Sequence, residues 1–276
     1  MPGLAVHKQR VLSDLIGDLG RVVVAYSGGV DSAFLTAVAH DTLGVDCLAV
    51  TAVSPSLARS ELRKAADLAR SRGWRHRTVG THEVSLEAYA VNGSDRCYWC
   101  KDELFSTLEP IAAELDAAVI VGTNTDDLGD HRPGLMAAKE HRVLSPLVSA
   151  ALSKAEIREL SAAMSLPTAT KPSSPCLASR FAYGVRVTPA GLRRVEAAED
   201  FVASLGFFEF RVRDHGELAR LEFLVSEIPR ATSQLARIEE HLRSLGYVDV
   251  TIDPKGFRSG SLNEALPLPT LRRSMA

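Results

Sequence analysis

Arg21-Val-Val-Val-Ala-Tyr-Ser-Gly-Gly-Val-Asp-Ser32 sets the architecture of this chain. Arg21-Val-Val-Val-Ala25 is a short β-branched run, the pattern of a strand buried on both faces. Ser27-Gly-Gly-Val-Asp-Ser32 follows at once, and Ser32–Leu43 then has helical periodicity. Gly28 and Gly29 permit backbone conformations closed to other residues and let main-chain N–H groups approach an anion. The helix contributes the positive end of its dipole, and Ser27 and Ser32 contribute hydroxyls. No lysine closes the loop, which excludes a Walker A site for γ-phosphate transfer. The segment reads as a cradle for pyrophosphate.

Outward from that loop the strand pattern recurs in Cys47-Leu-Ala-Val-Thr-Ala-Val53, Arg75–Val79 and Ala117-Ala-Val-Ile-Val-Gly122. Helical stretches lie between them, over Ser56–Ser71 and Trp99–Leu115. The alternation predicts an α/β fold, a doubly wound parallel sheet with right-handed crossovers and helices on both faces. Ser153-Lys-Ala-Glu156 has the form of a capping box that opens a helix ending before Pro167. Pro167 to Val187 then holds three prolines and no period, as a functional loop or linker does. Beyond it the pattern runs helix (Pro189–Leu205), strand (Phe208–Arg213), strand (Leu218–Val225), helix (Ala231–Leu245), strand (Tyr247–Ile252), a small α+β unit of ferredoxin-like order. The expected division is 1–166, a loop or linker over 167–187 carrying Cys176, and 188–276, with a poorly packed tail after Asn263.

The bulk numbers narrow the class. Among 276 residues, Lys plus Arg number 32 and Asp plus Glu 34, a formal net charge of -2 that disfavours a protein built to coat nucleic acid or an anionic membrane. With 46% hydrophobic and 24% charged residues the composition is globular. No apolar stretch approaches the ~18–20 residues of a membrane span. Met1–Arg10 shows no export signal, so a cytoplasmic location is expected.

Four cysteines, Cys47, Cys97, Cys100 and Cys176, are too few for a disulfide scaffold of this length. Cys47 lies inside an apolar strand and reads as core. Cys97-Tyr-Trp-Cys100 stands at the start of a helix and precedes Lys101, where the dipole and a cation favour thiolates. Taken alone the pair is also half a zinc site, a redox pair or two core thiols. Cys176, in Ser173-Ser-Pro-Cys-Leu-Ala-Ser-Arg180, sits in the long loop. Two near thiols and one distant thiol suggest a three-cysteine site, which suits a [4Fe-4S] cluster with one open iron. Structural zinc would need a fourth ligand, for which His82 and His131 are the candidates.

After the fourth strand comes Gly122-Thr-Asn-Thr-Asp-Asp-Leu-Gly-Asp130, continuing to His131-Arg-Pro-Gly134. Loops at the carboxyl ends of strands line the crevice of a doubly wound sheet. Asp126, Asp127 and Asp130 are therefore candidates for orienting substrate or magnesium, although Asn, Asp and Gly are also ordinary turn formers. Arg180, Arg186, Arg211 and Arg213 fall near the junction of the two parts, and Arg211 and Arg213 share one face of a strand.

Ser27–Ser32 resembles the pyrophosphate loop of the ATP pyrophosphatase (PP-loop) superfamily. That resemblance implies cleavage of ATP between its α and β phosphates, with magnesium, and adenylation of a substrate oxygen. It places the nucleotide along Ala25, Ser27, Gly28, Gly29, Asp31, Ser32, Val53 and Gly122, with Asp31 beside the magnesium or the pyrophosphate. The ordered set of Ser27–Ser32, Asp95-Arg-Cys-Tyr-Trp-Cys-Lys101, Gly122–Gly134, Pro175-Cys-Leu-Ala-Ser-Arg180 and Arg211-Val-Arg213 is similar to the LarE family of sulfur transferases, over about residues 20 to 255. The likeness implies sulfur transfer, through acyl-adenylates, to the carboxylates of a pyridinium biscarboxylic acid mononucleotide. That product is a precursor of the nickel-pincer nucleotide of lactate racemase. Cys176 matches the family's sulfur-handling cysteine, sacrificed to dehydroalanine in some members. Cys97 and Cys100 match members whose three cysteines hold a [4Fe-4S] cluster. Arg211 and Arg213 match the pair assigned to the substrate phosphate, and Asp127, Ser179 and Arg180 complete the expected substrate contacts. A homohexamer is expected on the same ground. A tRNA thiolase of the superfamily, or a module that binds nucleotide or metal without catalysis, are the rival readings.

Overall fold

A computed structural model describes residues 2–129, 133–258 and 260–262. In chain order the elements are α1 (Pro2–Leu19), β1 (Val22–Ala25), α2 (Val30–Leu43), β2 (Cys47–Val53), α3 (Arg59–Ser71), β3 (His76–Gly80), α4 (Glu87–Ala90) and α5 (Arg96–Leu115). They continue with β4 (Ala118–Ile120), α6 (Gly134–Glu140), α7 (Pro146–Ser149), α8 (Lys154–Ala163), α9 (Pro189–Ser204), β5 (Phe210–His215), β6 (Leu218–Phe223), α10 (Ile228–Ser233), α11 (Leu235–Ser244) and β7 (Asp249–Ile252). No helix among the described residues is long and apolar enough to cross a membrane.

The chain forms two compact units. The first comprises Met1–Glu83 and Cys97–Ser174, the second Val84–Arg96 and Pro175–Ala276. The expected tail after Asn263 lies outside the described residues.

In the first unit four strands form one parallel sheet in the order β3-β2-β1-β4. Successive side chains of a strand point to opposite faces, and the packing follows that rule. Val22, Val24, Cys47 and Ala49 join a core with residues of α1, α2, α3 and α8. Val23, Leu48 and Val50 join a second core with Phe105, Leu108, Ile111 and Ala112 of α5. Two apolar faces demand cover on both sides, which is why these strands read as unbroken apolar runs. The capping box is formed: Ser153 Oγ accepts from the Glu156 N–H (3.3 Å), and the Glu156 carboxylate accepts from the Ser153 N–H (2.9 Å).

In the second unit β5 and β6 are an antiparallel pair, and β7 lies parallel to β6. The expected ferredoxin-like order is met only in part, because the sheet has three strands and lacks the first strand of that pattern. Its core joins Phe210, Val212, Leu221 and Phe223 to Ala198 and Val202 of α9 and to Ile238 and Leu242 of α11. The segment 84–96 is built into this unit by side-chain and backbone bonds. Asn92 Nδ2 donates to the carbonyls of Ala182 (2.8 Å) and Val185 (3.0 Å), and the Val187 N–H donates to Ala90 O (2.9 Å).

Candidate functional site

The loop after β1 is shaped by two close approaches. Gly28 has φ +70°, and a Cβ there would lie 2.6 Å from Ala65 Cβ and 3.1 Å from Ala65 Cα on α3. Only glycine meets both conditions. At Gly122, beyond β4, a Cβ would lie 2.8 Å from the Ser32 nitrogen. The backbone of that loop therefore seats directly on the first turn of α2.

Gly29 is the N-cap of α2 and provides no side-chain cap. By helix geometry the N–H groups of Val30, Asp31 and Ser32 have no partner inside the helix, so the first turn presents donors and a positive dipole end to an anion. The two hydroxyls brace each other at 3.0 Å, Ser32 Oγ accepts from the Ser27 N–H at 3.2 Å, and Ala33 N–H closes onto Gly29 O at 2.9 Å. Ala25 ends β1 beside Val50, and Val53 ends β2 beside Gly80, both at the carboxyl edge of the sheet.

Two lysines unremarked in the sequence converge on this loop. Lys154, the first residue of α8, places Nζ against Asp31 Oδ2, and Asn124 Nδ2 donates to Asp31 Oδ1 at 3.3 Å. Lys171 donates to Gly28 O at 2.8 Å and pairs with Glu61 at 2.6 Å. Lys171 and Lys64 together hold the Glu61 carboxyl below the usual carboxylate range, against the upward push of burial. The signal for Lys154 was in the sequence, since a capping box fixes where α8 begins and hence which residue follows its cap.

Asp126 and Asp127, beyond β4, each hold a backbone N–H. Asp127 accepts from the Asn124 N–H (3.0 Å), Asp126 accepts from the Lys154 N–H (2.7 Å), and Asn124 Oδ1 accepts from the Asp126 N–H (3.0 Å). They shape the turn that aims Asn124 at Asp31. Asp130 and His131 lie outside the described residues. The exposed His82 gives its N–H to Glu103 at 2.8 Å.

All four cysteines are free. Cys47 is buried, and burial pushes its thiol up to about 12, so it is inert core as read. Cys97 is exposed and Cys100 half-buried, both in the first turn and a half of α5. Gly134, which opens α6, packs against that turn: a Cβ there would lie 2.8 Å from Lys101 Cγ and 3.3 Å from Cys97 O. Among the described residues, no three His, Cys, Asp or Glu side chains form a ready metal site.

In the second unit Cys176 is half-buried and caps a single turn, Leu177–Arg180. Ser179 Oγ donates back to Cys176 O at 2.7 Å. Arg180 is buried and grips Glu199 through Nε (2.9 Å) and Nη2 (3.0 Å). Arg213 is equally engaged: Nε meets Glu222 at 2.9 Å, Nη1 donates to Ser179 O at 3.0 Å and Nη2 to Ser261 Oγ at 2.9 Å. Glu222 is fully buried. Arg211, two residues away on the same face, donates to Phe210 O at 2.6 Å. It stacks 4.8 Å over the Phe257 ring, and burial together with the Arg180 charge brings its guanidinium down to about 10. Burial is the larger cause, and the carboxylates of Glu199 and Glu209 pull the other way. Arg186 is apart from this group, in an exposed bidentate pair with Glu87 at 2.6 and 2.5 Å.

A parallel sheet whose first strand turns through glycines into an uncapped helix, with an aspartate of that helix held from the far loop, is the architecture of a PP-loop domain. No protein-family model matches the chain. It is 37% identical over 268 residues to a pyridinium-3,5-bisthiocarboxylic acid mononucleotide synthase of Lactiplantibacillus plantarum, covering 96% of this chain and 97% of that one. It is also 42% identical over 258 residues to an uncharacterised protein of Synechocystis, covering 92% and 96% respectively. With an uncharacterised protein of Methanocaldococcus jannaschii it shares 27% over 240 residues, 87% of this chain and 91% of the other. The chain belongs to the LarE family.

Proposed function

We propose that this protein is an ATP-dependent sulfurtransferase that converts the carboxylates of a pyridinium biscarboxylic acid mononucleotide to thiocarboxylates. The name of the Lactiplantibacillus relative supports the substrate. The observation that carries the ATP half is the uncapped α2 turn with Gly28 pressed on Ala65 and Asp31 held by Lys154 and Asn124.

In this reading the pyrophosphate of ATP lies on the N–H groups of Val30, Asp31 and Ser32. Magnesium fits there, because it takes one or two carboxylates and completes its shell with phosphate oxygens and water. Asp31 would hold it, and the ion would neutralise charge on the leaving pyrophosphate. Lys154 then has an anionic partner beyond Asp31 within the same cradle. A substrate carboxylate oxygen attacks the α-phosphorus, the bond to the bridging oxygen breaks, and pyrophosphate leaves. Sulfur then attacks the acyl carbon, and AMP departs with the carbonyl-bound oxygen. Loop N–H groups and lysines stabilise charge by position alone, without reorganising during the step.

Cys176 handles the sulfur. For a [4Fe-4S] cluster the donor chemistry is suitable, because Cys97, Cys100 and Cys176 are in no disulfide and none is buried. These three would hold it, and it would supply an open iron for sulfide. Without it, Cys176 itself is the donor: its sulfur forms a thioester with the acyl carbon as AMP leaves, and loss of the Cys176 Cα proton with cleavage of its Cβ–S bond releases the thiocarboxylate and leaves dehydroalanine. Arg211 receives the phosphate of the substrate nucleotide, while Arg213 and Arg180 shape the site around it.

The test is pyrophosphate release from ATP in the presence of the biscarboxylate mononucleotide, with mass analysis of product and protein. Stoichiometric pyrophosphate and a thiocarboxylate product are expected. Pyrophosphate release driven by tRNA, with none driven by the mononucleotide, would overturn the substrate assignment. A 34 Da loss at Cys176, the mass of hydrogen sulfide, identifies a consumed cysteine, whereas turnover with intact Cys176 identifies a renewable carrier.

A further inference from the structure

The six residues from Lys171 to Cys176 have no regular structure, so the carbonyls flanking Cys176 find no ladder partner. They find Arg180 instead. Its Nη1 donates to Pro175 O at 2.7 Å, to Cys176 O at 3.3 Å and to Ser179 Oγ at 3.0 Å. The other two guanidinium nitrogens are taken by the two carboxylate oxygens of Glu199. Arg180 is 4% exposed.

Glu199 in turn stands on firm ground. It belongs to α9, which Thr188 caps through the Gly191 N–H at 3.0 Å and which buries Leu192, Val195, Ala198 and Val202. Its Oε1 also accepts the Val212 N–H at 3.2 Å, from the strand that carries Arg211 and Arg213. One carboxylate therefore registers the cysteine turn against both the helix and the arginine strand. A bidentate arginine–carboxylate fork fixes direction as well as distance, which a single hydrogen bond does not.

We infer that Glu199, acting through Arg180, is the positioning residue that fixes the turn bearing Cys176. Arg180 is accordingly a clamp on that turn and not a substrate ligand. The inference rests on the reading of Cys176 as the sulfur-handling residue. It adds no bond-making step. Glu199 and Arg180 set where the thiol stands when the acyl-adenylate arrives.

The experiment compares Glu199→Gln and Arg180→Lys with the full-length wild-type protein. Glutamine keeps the size of Glu199 and loses the charge-assisted fork, while lysine keeps the charge of Arg180 and loses its geometry. Four quantities are read: pyrophosphate formation, single-turnover sulfur transfer, substrate KM, and the rate of Cys176 alkylation by iodoacetamide across pH 6 to 9. Expected for both variants are near wild-type pyrophosphate formation and KM, sulfur transfer slowed at least tenfold, and a changed rate and pH profile of Cys176 alkylation. A thermal melt like that of the wild type, with the buried Cys47 still unalkylated, reports that the protein remains folded. A wild-type Cys176 profile in both variants overturns the inference. So does a rise in KM with Arg180→Lys that leaves the Cys176 profile alone, since that marks Arg180 as a substrate ligand. Should Cys176→Ser retain sulfur transfer, the underlying assignment fails, and the alkylation profiles still decide whether the clamp exists.

Discussion

Gly28→Ala is the perturbation that most directly asks whether the loop after β1 is built for an anion. Alanine at φ +70° costs about 1–2 kcal/mol, because a Cβ crowds the following carbonyl in the left-handed region. The new methyl also lands 2.6 Å from Ala65 Cβ and 3.1 Å from Ala65 Cα. Ala65 is 1% exposed, and no flexible side chain is available to yield. Forcing a methyl into such a contact costs about 1–3 kcal/mol more. Either α3 retreats, stretching the 3.1 Å bond from Tyr26 Oη to Ala65 O, or the loop lifts off its seat.

Gly29→Ala is the control one residue on. Its φ is −78°, its Cβ would meet only Ser27 Oγ at 3.4 Å, and the expected cost is about 0.5–1 kcal/mol for a poorer N-cap. For a folding unit of about 160 residues, each kcal/mol moves Tm by about 2–4 °C. Gly28→Ala should therefore lower the Tm of this unit by about 5–15 °C, and Gly29→Ala by at most about 4 °C. Scanning calorimetry reads the stability, and titration calorimetry with ATP and magnesium reads the cradle. ATP affinity should fall in Gly28→Ala beyond what Gly29→Ala shows. Equal Tm losses and equal affinities in the two variants would refute the close-approach argument.

Three further outcomes follow from the same geometry. Lys154→Met should slow pyrophosphate formation about 10- to 150-fold, the weight of one charged hydrogen bond, with little change in Tm; a wild-type rate would remove Lys154 from the cradle. Arg213→Met leaves the fully buried Glu222 with Arg220 and Ser261, and should destabilise the second unit by about 3 kcal/mol, whereas Arg211→Met should weaken mononucleotide binding; unchanged thermal melts for Arg213→Met, or wild-type mononucleotide affinity for Arg211→Met, would refute these roles. His141 bridges Asp102 (2.9 Å) and Glu109 (2.6 Å); burial pulls its pKa down, but the two carboxylates outweigh that and raise it. A raised folded-state pKa stabilises below the ordinary histidine value of about 6.5 and is lost as pH climbs through the raised one, so the Tm gap between wild type and His141→Gln should be widest in acid and close on the alkaline side. A gap independent of pH from 5.5 to 9 would contradict it.

What the sequence disclosed and what it withheld have a common physical reason. Period and turn chemistry are local, so the four sheet strands, the glycine loop, the capping box at Ser153 and the buried character of Cys47 were all legible. Strand alternation even placed Arg211 and Arg213 on one face. Partners distant in sequence were not legible, and partners decide what a charged side chain does. The same alternation that pairs those arginines is silent about Glu222, which claims Arg213 across the β5–β6 ladder, and about Phe257, over which Arg211 lies. Nothing local to Arg180 points to Glu199, nineteen residues on, which holds it. The membership of 84–96 in the second unit was hidden for the same reason, because it depends on Asn92 reaching carbonyls some ninety residues away. The general consequence concerns how a basic residue near a proposed anion site is weighed. A guanidinium already paired with a carboxylate has part of its charge committed to the fold, and drawing it onto a ligand weakens that pair. Arg213, paired with the fully buried Glu222, and Arg180, paired with the half-buried Glu199, are both held in this way. Arg211 is brought down toward 10 by burial and by the Arg180 and Arg213 charges, against the pull of Glu199 and Glu209, and a phosphate beside it would favour its charged form.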